Sequence, residues 1–410
     1  MILQQQIASL QHQKQQVLIR LAGYSDLDFS NRFYTELHQL QVQLFELSWQ
    51  FQLKFALRRK EAVIENIRTY IGVLNGEWET KRQFKRNWHS VYRDLSLLFP
   101  VFLTTLQSLR RLFPELQNGC IDSAIIDEAG QIPPHQVFPL LVRSRRAMFL
   151  GDPWQLEPIV PLSDSDKDLY RAKAFFARKL RDTDYDRYSP TALSAYHRAA
   201  GGSGRVGDLG NGIVLKYHYR SVPKIANFIS QLCYPEMIIK TSPSSSRVGA
   251  NLIACHVEGQ HTDHINQAEI EVVKDLIEEL LKAGYSRNSN DNSDTIGVIS
   301  PYRRQADALT NSLRTASLAH SRPHRSDFTS NSMGTVHTFQ GGQRSVIILS
   351  TRQCHSKDSL WFINRRPNLL NVAVSRAREL FILVGNLELL RAGEYSKLLV
   401  EYIEQFGEIR

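Results

Sequence analysis

Apolar residues in the first 93 positions recur at steps of three and four. Leu3, Ile7, Leu10, Val17 and Leu21 keep that spacing around Lys14, and Leu37, Leu40, Leu44, Leu47 and Phe51 resume it after the stretch AGYSDLDFSN. Such steps lay a single apolar stripe along a helix. The pattern predicts two long antiparallel helices, a coiled-coil stalk or hairpin, over residues 1–97. Beyond Leu98 the texture changes to short β-rich runs alternating with amphipathic helical ones, the signature of a parallel α/β sheet. Strands are expected at SAIIDEA, AMFLGD, LIACHVEG, TIGVISP, GTVHTF, SVIILST and LFILVGN, with AEIEVVKDLIEELLKAG as a helix between them.

Two stretches break the pattern. AAGGSGRVGDLGNG, from Ala199 to Gly212, is Gly-rich but lacks the Lys-Ser or Lys-Thr ending of a phosphate-binding loop, so it reads as a linker. SRNSNDNSD, from Ser286 to Asp294, has the composition of a solvent loop.

Composition narrows the partner more than the fold. The 410 residues are 42% hydrophobic and 22% charged, as in ordinary globular chains, and suffice for two or three domains. A formal charge of +9 favours a polyanionic partner, nucleic acid before an acidic membrane surface. Residues 1–110 hold 14 Lys and Arg against 9 Asp and Glu, concentrated in RRK (Arg58 to Lys60) and KRQFKR (Lys81 to Arg86). Those runs fit either a solvated helix face or a basic stalk along a nucleic-acid backbone. No apolar run reaches the roughly 18 residues needed to span a bilayer, and the polar start is no signal peptide, so a cytoplasmic protein without membrane association is expected. Cys120, Cys233, Cys255 and Cys354 form no CxxC pair, and the histidines show no HExxH spacing.

Candidate chemistry begins at IIDEAGQ, where Asp127 and Glu128 close an apolar strand. Paired acids at such a point can hold Mg²⁺ and polarise an attacking water, although acids also end strands simply to meet solvent. About 20 residues later AMFLGDPWQLEP ends a second strand in Asp152, followed by Gln155. A carboxylate and an amide at the C-terminal edge of an open α/β sheet are placed to sense a γ-phosphate and orient water. Arg220 in KYHYRSVPKIANF and Arg376 in NVAVSRAREL add permanently charged planar groups suited to a transferring phosphoryl group. Either arginine alone is better explained by a surface salt bridge; their order with the two acidic strand ends is what favours the phosphoryl reading.

In order, IIDEAGQ, GDPWQLEP, KYHYRSVPKIANF, VISPYRRQ, GTVHTFQGGQRSVIILST and NVAVSRAREL resemble motifs II, III and IV, a PYxxQ element, and motifs V and VI of superfamily 1B helicases, Upf-like branch. The resemblance covers roughly residues 98–390. It implies an α/β fold with two RecA-like parallel-sheet domains, the first incomplete over 98–205 and the second over 206–410, after the helical stalk. It also implies ATP in the cleft between them and single-stranded DNA or RNA across their top. Carried over by motif, Asp127 would hold Mg²⁺, Glu128 would be the catalytic base, and Gln155 the γ-phosphate sensor, with Asp152 beside the nucleotide. Arg220 and Arg376 would stabilise the transition state. Gln340 and Gly341 would couple nucleotide to strand, and Gln343 would stand where the family usually has Glu against the nucleotide sugar. Thr104, Thr105, Ser108, Tyr302 and Gln305 would contact the nucleic-acid backbone.

The sequence contains no GxxxxGK[ST] loop. In the family that loop precedes motif II, and helical insertions can separate the two, so the chain is expected to start within such an insertion. ATP and Mg²⁺ are then expected to bind only if a P-loop segment, encoded upstream, is supplied. Three readings stay open: the C-terminal portion of an ATP-dependent helicase that is weak or inactive alone, a non-catalytic nucleic-acid-binding module on a RecA scaffold, and a coiled-coil assembly protein.

Overall fold

A computed structural model describes residues 26–158, 162–179, 194–202, 210–286, 295–315, 332–337, 342–353 and 360–410. The apolar run Leu3 to Leu21, Gln340, Gly341, Cys354, half of the Ala199 to Gly212 stretch and nearly all of Ser286 to Asp294 lie outside them. The chain separates into two compact units, residues 1–116 and 117–410. No described helix is long and apolar enough to cross a membrane.

The first unit is helical. Helix α1 (Asp26–Arg58) carries the second apolar run, and α2 (Lys60–Leu74) and α3 (Trp78–Leu95) form a hairpin. Gly76 sits in its turn at φ +87°, a left-handed backbone that costs glycine nothing. At Gly72 the hairpin closes so tightly that an added Cβ would lie 2.5 Å from the Thr80 side chain. The buried carboxylate of Asp94 ties the helices together: Arg59 pairs with it at 2.8 Å, Arg93 at 3.2 Å, and Asn66 donates to it at 2.7 Å. Arg59 of the basic RRK run is therefore an internal tie, whereas Lys81, Arg82, Lys85 and Arg86 are exposed. Phe102 and Phe113 pack their rings 5.1 and 5.2 Å from Tyr92. This aromatic packing places residues 98–116 with the helices, so the divide between the units falls inside the stretch read as the first RecA-like domain. Leu40, Leu44, Leu47 and Phe51 of the α1 stripe are 63, 66, 64 and 71% exposed.

The second unit is α/β. Strand β1 (Ile121–Ile126), helix α4 (Pro134–Arg143) and β2 (Ser144–Phe149) make a parallel pair, in register from Ile121 opposite Ser144 to Ile126 opposite Phe149. Ile125 and Met148 on this pair remain exposed. Helix α5 (Pro223–Cys233) leads into the larger sheet, built from β3 (Leu252–His256), β4 (Ile296–Ser300), β5 (Met333–Thr335), β6 (Arg344–Ser350), β7 (Ala377–Gly385) and β8 (Glu408–Ile409). All six strands run parallel, in the order β8-β3-β7-β6-β4-β5. Between them lie α6 (Gln267–Lys282), α7 (Arg303–Thr315), α8 (Asn368–Ser375) and α9 (Glu394–Phe406).

Helices cover both faces, so the central strands are apolar along their whole length rather than alternating with polar residues. On one face Ile347, Leu349, Phe381 and Leu383 meet Ile225, Phe228, Leu370, Val374 and Ile403 from α5, α8 and α9. On the other, Val346, Ile348, Ile382 and Val384 meet Ile270, Val273, Ile277 and Leu309 from α6 and α7. The seven expected strands are all present; the short edge strand β8 was not anticipated. Phe381 is fully buried at the centre of this packing, so Phe381→Ala should cost about 3–5 kcal/mol in urea unfolding of the second unit. A loss below about 1 kcal/mol would mean the sheet is not the unit's stabilising core.

Candidate functional site

Asp127 and Glu128 follow β1 on a turn locked to the end of β2. Leu150 N–H donates to the Ile126 carbonyl and Ala129 N–H to the Leu150 carbonyl, both at 2.8 Å. The two loops touch through glycines: a Cβ on Gly130 would lie 2.6 Å from the Asp152 carbonyl oxygen, and one on Gly151 2.7 Å from the Gly130 nitrogen. This contact puts Glu128 in the left-handed region at φ +52°, uncommon for a residue with a side chain. Its carboxylate accepts from Gln131 Nε2 at 2.7 Å. Asp127 is exposed and, among the described residues, accepts only the Glu128 N–H, at 2.9 Å.

The GDPWQLEP loop enters the larger sheet's core, where Trp154 and Leu156 are buried. Helix α8 holds its backbone. Asn371 Nδ2 donates to the Trp154 carbonyl at 2.7 Å, Asn368 Nδ2 to that of Pro153 at 2.9 Å, and Asn368 also to that of Gln155. Asp152 accepts from Tyr234 Oη at 2.6 Å and from the Trp154 N–H at 2.9 Å. Burial pushes its carboxyl above the ordinary range against these bonds, and Glu128 adds to the rise. Tyr234 Oη accepts in turn from Asn371 Nδ2 at 2.8 Å.

Three backbone segments bring arginines to the same cleft. Ser221 Oγ donates to the Ala377 carbonyl at 2.7 Å, Val222 N–H to that of Arg378 at 2.8 Å, and Arg344 N–H to that of Arg376 at 3.1 Å. Arg376 is 5% exposed, and its Nε has no partner among the described residues. Burial lowers its pKa, as does Arg220, while Glu128 opposes the shift. Arg220 keeps an exposed side, but the surrounding protein and then Arg378 lower its pKa; Tyr234, Glu128 and Asp152 act the other way. A cavity of about 960 Å³ opens here, with Asp152, Gln155, His218, Arg220, Gln343 and Arg378 in its wall. Gln343 Oε1 accepts from Arg378 Nε at 3.1 Å.

The candidate strand contacts lie elsewhere. At the C-terminal edge of the sheet the half-buried Tyr302 accepts from Gln353 Nε2 at 2.6 Å, and the Arg352 guanidinium lies 3.9 Å from its ring centre. Gln305 corrects the expectation for it. It is fully buried, its Oε1 accepts the Asn266 N–H at 2.8 Å, and its Nε2 donates to the Asn266 carbonyl at 3.2 Å and to Ser350 Oγ at 3.1 Å. Its amide is committed within the protein and cannot reach a strand in this arrangement. Thr104, Thr105 and Ser108 belong to the helical unit, where Thr105 Oγ1 accepts the Ser108 N–H at 3.2 Å and caps a short 3₁₀ turn. Among the described residues no three His, Cys, Asp or Glu gather as a metal cage.

Residues 205–388 match a family model described as an AAA domain. The chain is 25% identical over 414 residues to the DNA polymerase alpha-associated DNA helicase A of Saccharomyces cerevisiae, covering 86% of this chain and 55% of that protein. It is 24% identical over 285 residues to the regulator of nonsense transcripts 1 homolog of Drosophila melanogaster, covering 65% of this chain and 21% of that one. The chain carries a superfamily 1B helicase C-terminal region. Among solved structures, the PRRSV helicase aligns over 70% of this chain and 46% of its own at 13% identity and a TM-score of 0.32, too low to bear on the fold.

Within this helicase region several site residues carried no separate signal. Asn371 and Arg378 lie in NVAVSRAREL but were overshadowed by Arg376, and Asn368 lies just before it. Tyr234 sits in an unremarkable helix end. Glu269 looked like an ordinary acid on an amphipathic helix, yet it is fully buried beneath the Tyr302 edge. It accepts from Ser350 Oγ at 2.6 Å, from the Arg352 N–H at 2.9 Å and from Asn266 Nδ2 at 3.2 Å.

Two outcomes follow from this geometry. Gly130→Ala should destabilise the second unit by about 1–3 kcal/mol, measured by urea unfolding, because the added methyl meets the Asp152 backbone, which cannot swing aside as a side chain could; an unchanged midpoint would mean the loops are not in contact. Burial pushes the Glu269 carboxyl up to about 8, against its hydrogen bonds and the Arg352 charge. The folded state therefore keeps a proton that the unfolded chain releases near 4.5, so this contribution to stability is complete at low pH and is lost as pH rises toward 8. The wild-type urea midpoint should fall between pH 5 and 8 relative to Glu269→Gln, and parallel profiles would contradict it.

Proposed function

We propose that the chain is the C-terminal portion of an ATP-dependent helicase that couples ATP hydrolysis to translocation on single-stranded DNA or RNA. Residues 98–205 and 206–410 would serve as its two RecA-like halves. The observation that carries the proposal is geometric: one cavity wall brings Asp152 and Gln155 of the GDPWQLEP loop together with Arg220 from another segment, and Glu128 lies near enough to oppose the lowering of the Arg220 and Arg376 pKa values. A catalytic acid faced by two arginines from other segments is the arrangement needed where negative charge moves between phosphoryl oxygens.

In this proposal Glu128 takes the proton of the attacking water while Gln131 and the left-handed backbone hold its carboxylate in place. Gln155 orients that water from a loop that Asn368 and Asn371 keep fixed. Arg220 and Arg376 face the terminal phosphate, and the unpartnered Nε of Arg376 is a donor such an anion would satisfy. When bound, MgATP supplies the scissile phosphoanhydride and its bridging cation. The single open carboxylate of Asp127 suits Mg²⁺, which usually takes one or two protein carboxylates and completes its shell with phosphate oxygens and water. Gln343, Gln340 and Gly341 would lie beside the nucleotide. Thr104, Thr105, Ser108 and Tyr302 would grip the strand, with Gln305 positioning its edge from below.

Lacking a GxxxxGK[ST] loop, the 410-residue chain should bind strands without efficient hydrolysis. Filter binding should give a steep negative slope of log K against log salt. Oligonucleotide-stimulated phosphate release should be weak or undetectable, but should arise in a longer chain that includes such a loop and vanish there with Glu128→Gln. Salt-independent strand binding, or hydrolysis in the longer chain that survives Glu128→Gln, would refute the proposal.

A further inference from the structure

The cleft holds more positive charge than two arginines account for. Arg378 projects into the same cavity wall as Arg220, two residues beyond Arg376, and its main chain is fixed by the Val222 N–H. Arg344 adds a fourth guanidinium at the start of β6. Burial and then Arg378 lower its pKa. Among the described residues no carboxylate makes an ion pair with Arg220, Arg376 or Arg378. Arg378 instead donates to the neutral amide of Gln343.

Like charges brought together by two backbone hydrogen bonds and one from Ser221 Oγ repel, and in a partly buried site solvent screens that repulsion poorly. A neutral amide fixes the direction of a guanidinium without cancelling its charge, whereas a carboxylate would do both. Arg376 lies beside that wall, next to the cavity-lining Ser375, and its buried Nε has no partner among the described residues. A cavity of about 960 Å³ has room for a polyphosphate chain with a nucleoside attached.

We propose that Arg378 is a third phosphate-binding arginine of this cleft, and that Gln343 keeps its charge free for the anion. The larger sheet then binds a polyphosphate through Arg220, Arg376 and Arg378 without help from a P-loop. This deepens the nucleotide reading of the cleft and rests on it, but it concerns binding alone and does not require hydrolysis.

Calorimetry with inorganic tripolyphosphate on the 410-residue chain tests it at low salt. Wild type should bind, and Arg378→Gln should weaken binding by about tenfold or more, the effect of one hydrogen bond to a charged group. Gln343→Glu should weaken it by a similar factor, because the introduced carboxylate pairs with Arg378. That variant adds no cavity and removes no packing, so it keeps the proposal testable if Arg378→Gln fails to fold. A single-stranded oligonucleotide should not displace the tripolyphosphate. Displacement would make the cluster a backbone contact and overturn the assignment. Wild-type affinity in Arg378→Gln or Gln343→Glu would overturn it too. So would the absence of tripolyphosphate binding in a chain that still binds single strands with a steep salt slope, and that result would leave the nucleic-acid reading intact.

Discussion

The hydrogen bonds from Asn368 and Asn371 to the carbonyls of Pro153, Trp154 and Gln155 hold the candidate site together. A loop drawn into a core leaves its peptide groups without water, and each unmet carbonyl would cost about 1–3 kcal/mol. Two amides on adjacent turns of one helix meet three carbonyls in succession. The same helix ends at Arg376, so the spacing between the Gln155 loop and that arginine is set by helix geometry rather than by side-chain flexibility. Tyr234 completes the joint by linking Asn371 to Asp152. Among the described residues the amides act as donors only, with no protein partner on either Oδ1.

Much of this was legible in the sequence, and the reasons differ by element. The central strands were visible because burial on both faces forces continuous apolar runs such as SVIILS. The acidic turns were visible because chemistry demands charged residues at strand ends, where a core would exclude them. Gln305 misled because a polar residue next to a strand end looks available; only the fold shows that Asn266 and Ser350 occupy all of its amide. Glu269 and Tyr234 were hidden for the opposite reason. Their one-dimensional surroundings are ordinary, and their roles arise from partners 81 to 83 and 82 residues away in sequence. The α1 stripe was read correctly as a heptad pattern on a helix, but periodicity says which residues share a face and not what covers it.

The arginines show how such a site departs from ordinary stability. Burial and mutual repulsion both act against the charged forms of Arg220, Arg344 and Arg376. A fold selected for stability alone would place carboxylates among them or apolar residues instead. Glu128 is the acid that offsets part of the repulsion, and it does so from a strained left-handed backbone fixed by the contact between Gly130 and Gly151. Strain at the acid and excess charge at the arginines therefore share one cleft and one set of supports. An anion arriving among the arginines would neutralise the excess charge.

Strand β6 relates this cleft to the opposite edge of the sheet. Gln343 and Arg344 stand at its start, and Ser350, Thr351 and Arg352 at its end, with every residue between them buried; Val346 to Leu349 pair with β4 on one side and β7 on the other, while the register to β7 shifts between Arg344 and Val346. Seven residues of extended chain span about 20 Å. The doubly paired stretch Val346 to Leu349 cannot slip by part of a register without breaking its ladder, and the irregularity at Ser345 is the one place where the arginine end can shift against it. There the strand delivers Ser350 to Glu269 and Gln305, and it leaves Arg352 in a left-handed conformation at φ +64° with its guanidinium over Tyr302. The network around Glu269 thus holds one end of a strand whose other end starts among the arginines of the cleft. Under the proposed reading, a phosphate site and a strand-contact edge would respond to each other through that one buried strand, with the irregularity at Ser345 as the joint between them.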